Sequence, residues 1–187
     1  MSKPVHVLGI SGSLRRGSYN TAALLAACET LPDGMTMELY DLSAVPLYNQ
    51  DVDAAGAPEP VQHLKARIAA ADALLIATPE YNHSIPGVLK NAIDWASRPP
   101  NRSPLNGKPV AIMGATGGVW GTTRAQVHLR QICFAVNMLL LNRPEVLIAQ
   151  AGQKFDSDGR LTDETTRQFI RSTLEALAAW TIQLRGS

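Results

Sequence analysis

The residues of this chain best equipped for chemistry lie at positions 9–20, GISGSLRRGSYN. They follow a short apolar run and precede an alanine- and leucine-rich stretch, which is the pattern of a strand turning into a helix. The first N–H groups of a helix have no carbonyl partner of their own, and the helix dipole adds positive potential at that end. A phosphate fits such a place without a dense basic patch. Gly12 and Gly17 admit backbone angles that strain other residues, while Ser11, Ser13 and Ser18 carry hydroxyl donors. Arg15 or Arg16 can add a charged hydrogen bond, and Asn20 can cap or brace the loop. The bland alternative is a Ser/Gly turn with solvated arginines. The string has neither the G-x-G-x-x-G order of a dinucleotide fingerprint nor the GK[ST] ending of a P-loop, so a mononucleotide phosphate is the better candidate.

Two later stretches are also loop-rich and chemically varied: TPEYNHSIPGVLKNAIDW (78–95) and MGATGGVWGTTR (113–124). Open parallel sheets bind ligands beyond the carboxyl ends of their strands, where both of these stretches fall. Pro79 and Pro86 restrain the first loop. Asn82 and the main chain can meet the edge of a heteroaromatic ring, with Tyr81 at its side. Gly117 and Gly118 permit close backbone approach from the second. Together they describe a slot for a flat ligand whose phosphate reaches residues 11–18. Glu80 reads equally as part of the slot or as a solvated carboxylate or intersubunit salt-bridge partner, His83 as an exposed loop residue, Trp95 as a packing residue, and Trp120 as either a surface or interface aromatic or a wall of the slot.

Other chemistries find little support. The four histidines, His6, His63, His83 and His128, form no metal-ligand spacing, so no metal is expected. Cys28 and Cys133 sit in apolar helical patterns and read as buried or neutral thiols. GISGS matches a nucleophile elbow only superficially, with no ordered acid and histidine behind it. A formal net charge of +1, from 17 Lys+Arg against 16 Asp+Glu, offers no field for a polyanion, so neither nucleic acid nor membrane is expected as a partner. No apolar run approaches the length of a spanning helix and the N-terminus lacks a signal-peptide pattern, which predicts a cytoplasmic protein.

The elements that must position these loops are legible. Apolar runs at 4–10, 35–40, 72–78, 108–116 and 144–149 alternate with helical patterns at 19–29, from Pro60, at 87–97, at 123–136 and from near Thr162. That order predicts βαβ units around interior parallel strands, and five strands with five helices fit one three-layer α/β sandwich spanning 1–187. Stretches 43–59, 98–109 and 150–160 read as loops, the last with a turn at its Asp-Gly pair.

GSLRRGSYN (12–20), PEYNHSIPGVLKNAIDW (79–95) and TGGVWG (116–121) together resemble the NADPH-dependent FMN reductase family, in particular its bacterial chromate and quinone reductase branch. The likeness runs in matching order over nearly the whole chain. It implies a flavodoxin-like three-layer fold with strand order 2-1-3-4-5 and non-covalent FMN. By that similarity Ser11, Gly12, Ser13, Leu14, Arg15, Ser18 and Asn20 belong to the phosphate site. Pro79, Glu80, Tyr81 and Asn82 run beside the ring, chiefly through main chain and Asn82, and Thr116, Gly117 and Gly118 approach from the fourth strand. The branch often carries a serine-rich stretch where this chain has GATGG, leaving Thr116 as the hydroxyl there.

The resemblance further implies a reductase that takes hydride from NADPH or NADH onto FMN and passes electrons, in ping-pong order, to a small-molecule acceptor. Quinones are the natural acceptors, with chromate, other metal complexes, azo compounds and free flavin as further outlets. No protein side chain is expected to act as catalyst, Tyr81 being a substrate-pocket residue. A homodimer or homotetramer is implied, with Arg124 and Glu145 as interface residues. The rival readings are a flavodoxin-like electron carrier serving a protein partner, and an interaction protein that has lost its cofactor.

Overall fold

A computed structural model describes residues 3–186. Its strands are β1 (Val5–Ser11), β2 (Met35–Tyr40), β3 (Ala73–Ala77), β4 (Pro109–Ala115), β5 (Leu139–Leu140) and β6 (Val146–Ile148). Its helices are α1 (Tyr19–Glu29), α2 (Gln50–Ala55), α3 (Glu59–Ala70), α4 (Gly87–Ala96), α5 (Thr123–Ala135) and α6 (Glu164–Arg185). The sheet is parallel throughout, in the order β2-β1-β3-β4-β5. The expected fifth strand at 144–149 is realised as β6, which pairs with the carboxyl half of β4, while the unforeseen β5 pairs with its amino half. Pro144 lies between the two and has no N–H to give a ladder. The expected loop at 43–59 contains α2, a short surface helix capped by Asn49 with no buried residue.

Period-two alternation sorts the apolar strand residues onto two faces. Val5, Val7, Leu75 and Met113 face α1 and α6 together with the alanines Ala73, Ala77, Ala111 and Ala115. Leu8, Ile10, Leu74, Ile76, Val110 and Ile112 face α3, α4 and α5. Ala23, Ala26 and Ala27 of α1 meet the alanine-rich face, so the helix that opens after the serine-rich loop packs close on the sheet. Trp95 is fully buried and its Nε1 donates to the Pro46 carbonyl at 2.8 Å, the packing role expected of it.

The carboxyl end of the sheet has little slack. A Cβ at Gly114 would fall inside the van der Waals shell of Thr122 Oγ1 and 2.5 Å from the Thr78 carbonyl oxygen, so only glycine fits where β4 passes under the loop after β3. By contrast a Cβ at Gly117 meets nothing within 4 Å. Gly114→Ala is therefore expected to lower unfolding free energy by about 3 kcal/mol, and Gly117→Ala to stay within about 0.5 kcal/mol of wild type. Urea denaturation of the two variants checks this; equal midpoints would contradict it.

Candidate active site

Three loops meet beyond the carboxyl ends of β1, β3 and β4. The Gly12 N–H donates to the Ala77 carbonyl at 2.8 Å and the Thr78 N–H to the Met113 carbonyl at 2.9 Å, which continues the strand pairing into the loops. The deepest tie is Asn20. Its side chain is buried on the first turn of α1, its Nδ2 donates to the Ala115 carbonyl at 2.9 Å, and its Oδ1 accepts the Ala115 N–H at 2.9 Å. This closed pair joins the start of α1 to the end of β4 and leaves one Asn20 N–H free. Asn20 is thus chiefly the brace of the two readings the sequence allowed.

The loop before α1 is shaped by its own serines. Ser18 is the N-cap: its Oγ accepts from the N–H groups of Asn20 at 3.2 Å and Thr21 at 3.3 Å. Ser13 Oγ accepts the Arg15 N–H at 3.3 Å, and Ser11 Oγ accepts from Ser13 N at 3.3 Å and from Thr21 Oγ1 at 2.9 Å. Among the described residues, no acceptor meets the N–H groups of Leu14, Arg16, Gly17 or Tyr19. Those unpaired donors, the Ser13 and Ser18 hydroxyl protons and the Arg15 guanidinium form a donor set suited to a phosphate dianion, so the residues present fit the phosphate end of FMN.

The loop after β3 turns back on itself. Tyr81 and Ser84 exchange main-chain hydrogen bonds at 3.0 Å in both directions, and Asn82 and His83 take φ of 51° and 63°, a type I′ hairpin turn. From β4, the Thr116 N–H donates to Ile148, its carbonyl accepts from Ala151, and its Oγ1 accepts the Gly118 N–H at 3.3 Å. Between the loops lies a cavity of about 170 Å³ lined by Ser13, Arg15, Ser18, Tyr19, Asn20, Pro79, Glu80, Tyr81, Ala115, Thr116 and Gly117. Larger hollows elsewhere, such as the 540 Å³ one beside Lys3, Asp72, Lys108 and Arg185, lie at the opposite ends of the strands.

The structure therefore brings together Ser13, Arg15, Ser18, Asn20, Pro79, Glu80, Tyr81, Thr116 and Gly117 around one cavity. Ser11 and Gly12 lie behind it as supports, and Leu14, Asn82 and Gly118 are not part of its lining. Sequence reading missed Tyr19, whose ring lies 5.8 Å from the Arg15 guanidinium carbon and 5.3 Å from the Phe155 ring. Its place next to the N-cap serine was the available signal. Trp120 is 64% exposed, outside the lining, with the Arg124 guanidinium 5.1 Å from its ring. Arg124 and Glu145, the expected interface pair, have partners within the chain: Arg124 Nη1 lies 3.7 Å from Glu80, and Glu145 meets Arg130 at 3.3 Å and Arg143 at 3.4 Å.

Burial pushes the Cys133 thiol up to about 12 and raises that of Cys28, so neither is a thiolate at neutral pH. Among the described residues no group of three His, Cys, Asp or Glu side chains is placed to hold a metal ion.

The strand order and the surrounding helices define a flavodoxin-like α/β protein, with the loops after β1, β3 and β4 gathered around one cleft. Residues 5–153 match the family model for NADPH-dependent FMN reductase, and the chain belongs to that family. It is 56% identical over 186 residues, and the full length of both chains, to the NAD(P)H-dependent FMN reductase PA1204 of Pseudomonas aeruginosa. It is 43% identical to a 2-hydroxy-1,4-benzoquinone reductase of a Burkholderia species, over 91% of this chain and 93% of that one. Among solved structures, the flavoenzyme NAD(P)H:(acceptor) oxidoreductase FerB of Paracoccus denitrificans superposes with a TM-score of 0.85 at 38% identity, covering 96% of this chain and 98% of that one.

Removing the Asn20 carboxamide leaves a buried N–H and a buried carbonyl of Ala115 unpaired. Asn20→Ala is expected to cost about 3 kcal/mol of stability. Thermal unfolding of the flavin-free protein measures this without interference from ligand, and an unchanged Tm would contradict the brace.

Proposed function

We propose that residues 1–187 act as a single-domain, cytoplasmic, FMN-dependent reductase that takes electrons from NADPH or NADH and passes them to a quinone. The observation carrying this reading is the convergence of Ser13, Arg15, Ser18 and the unpaired N–H groups of the first loop with residues 79–81 and 116–117 around one cavity. FMN, once bound, supplies the hydride-accepting and electron-donating centre, while the chain supplies orientation and electrostatics.

In this reading the Ser13 and Ser18 hydroxyls, the Arg15 guanidinium, the Leu14 main chain and the remaining Asn20 N–H hold the phosphate. Ser18 accepts two helix N–H groups through its oxygen, which leaves its proton to point outward to the ligand. Pro79 to Asn82 run along one side of the ring and Thr116 to Gly118 along the other. Among the described residues the Gly117 N–H has no acceptor, and a donor there favours negative charge arriving on the ring edge. Donor and acceptor use the same open side of the cavity in turn, which is the ping-pong order, and Tyr81, 51% exposed, borders that opening.

The names of the relatives above support quinones as acceptors. Chromate, other metal complexes, azo compounds and free flavin are further acceptors that an accessible reduced ring would serve. The chain acts as a homodimer or homotetramer, a reading supported by Val127 and Phe134, which stand 58% and 87% exposed on the outer side of α5. Among the described residues no helix is long and apolar enough to cross a membrane.

Anaerobic stopped-flow mixing of FMN-loaded protein with NADPH and NADH, followed by mixing of the reduced protein with a benzoquinone, tests the reading. Rapid bleaching by a nicotinamide and rapid recovery by the quinone are expected; reduction only in the presence of a partner protein would instead indicate a carrier. A charge-assisted hydrogen bond contributes about 1.5–3 kcal/mol, so Arg15→Ala is expected to weaken FMN binding about 10- to 150-fold. Arg16→Ala has the smaller effect, and equal dissociation constants for wild type and Arg15→Ala would remove Arg15 from the phosphate site. Tyr81→Ala should alter quinone turnover while leaving FMN affinity largely intact, which steady-state kinetics and flavin titration check together.

A further inference from the structure

The loop after β3 borders the cavity with its main chain, yet the carboxylate of Glu80 is engaged elsewhere. Glu80 Oε2 accepts the N–H of Arg124 at 3.0 Å and that of Ala125 at 3.1 Å, both in the first turn of α5. The Glu80 side chain is 12% exposed. Thr122, the residue before α5, is left-handed with φ of 65° and gives the helix no side-chain cap. The unpaired N–H groups that open any helix thus find their acceptor in a loop 44 residues away in sequence.

A second tie sits one helical turn further along. Ser84 Oγ lies 3.0 Å from Nδ1 of His128. Between Glu80 and Ser84 the chain makes the tight Tyr81–Ser84 turn, so the ring-flanking segment is fastened to α5 at both ends. The Glu80 tie is the stronger: it is charge-assisted, is made twice over by a largely covered carboxylate, and is placed on the positive end of the helix.

We propose that the Glu80 carboxylate is a positioning residue for electron transfer: by anchoring Pro79 to Asn82 on the start of α5, it sets that main chain at working distance from the flavin ring. This rests on the FMN reductase reading above. In this role the carboxylate touches neither cofactor nor substrate. Because the phosphate is held by a different loop, loss of the anchor shifts the ring and its nicotinamide face without releasing FMN.

The test compares FMN-loaded wild type with Glu80→Ala, Glu80→Gln and Arg124→Ala, reading FMN dissociation constant, visible-region circular dichroism of the bound flavin and the anaerobic rate of reduction by NADPH. Misplacement on the scale of 1 Å slows such transfers steeply, so Glu80→Ala is expected to reduce about 10- to 100-fold more slowly, with a changed flavin dichroism. Its FMN dissociation constant should stay within about threefold of wild type, since phosphate contacts dominate retention. Glu80→Gln keeps an oxygen that can accept the same two N–H groups and should recover to within about fivefold of the wild-type rate. Arg124→Ala removes only a half-exposed side-chain ion pair and should change the rate less than about twofold.

Wild-type reduction rate and dichroism in Glu80→Ala would overturn the proposal. So would Gln and Ala variants equally slow and matched by Arg124→Ala, which would assign the effect to the ion pair. Strong FMN loss from a folded Glu80→Ala protein also overturns it, because the carboxylate would then serve binding. Should Glu80→Ala fail to fold, Glu80→Asp, one methylene too short to reach both N–H groups, carries the same expectation of slow reduction with FMN retained. Failure of wild type to take up FMN, or to be reduced by either nicotinamide, would overturn the function reading itself.

Discussion

Asn20 sits buried on the first turn of α1, and its carboxamide closes a two-bond ring with the main chain of Ala115, 95 residues downstream. The geometry of the cleft follows from that ring. It fixes where the N-terminus of α1 stands relative to the end of β4, and therefore how far residues 13–18 lie from residues 116–118. A buried donor and acceptor left unpaired cost about 1–3 kcal/mol each, which makes other arrangements of the two loops expensive. The alanine-rich face of the sheet supports the same end, since Ala77 and Ala115 let α1 lie close enough for a short Asn side chain to span the gap.

The third loop is fixed by different means. Thr78 and Gly114 pack without room for a methyl group, and Glu80 carries the loop onto α5. The cleft is thus a set of flexible residue types, glycines, serines and a hairpin turn, held by a rigid set of buried contacts. That division suits a protein whose redox chemistry resides in a cofactor: the side chains need to place a ring and a phosphate at a fixed separation and leave one face open. It also explains why the lining holds few ionisable groups, Arg15 and Glu80 among those able to charge, with the Glu80 carboxylate directed into a helix end.

Much of this was legible in the residues. Strands β1, β3 and β4 are almost uninterrupted apolar runs because helices cover both faces, and α1 begins at Tyr19 because Ser18 is a serviceable N-cap. Where periodicity has no core to answer to, reading failed: α2 buries nothing, so its residues, QDVDAA, carry no apolar stripe. The fifth position of the sheet is divided because NRPE interrupts it, and two-residue β5 is too short to leave a pattern. The pairings that matter most in the cleft were invisible for a common reason. Asn20 with Ala115, and Glu80 with Arg124 and Ala125, join residues whose proximity is created by the crossovers of the sheet, and each side chain has an equally sound local role as a cap or a solvated charge. Motif likeness pointed to three loops that meet at one cavity; only the three-dimensional arrangement distinguishes residues that line it from those, such as Ser11 and Gly12, that hold it up.

The most direct measurement is a crystal structure of the protein saturated with FMN. The phosphate is expected within hydrogen-bonding distance of Ser13, Arg15 and Ser18 at the front of α1, the ring between residues 79–82 and 116–118, and the Asn20–Ala115 pair unbroken. A phosphate seated away from that loop, or an Asn20 swung off Ala115 to reach it, would show that the cleft is not built around this brace.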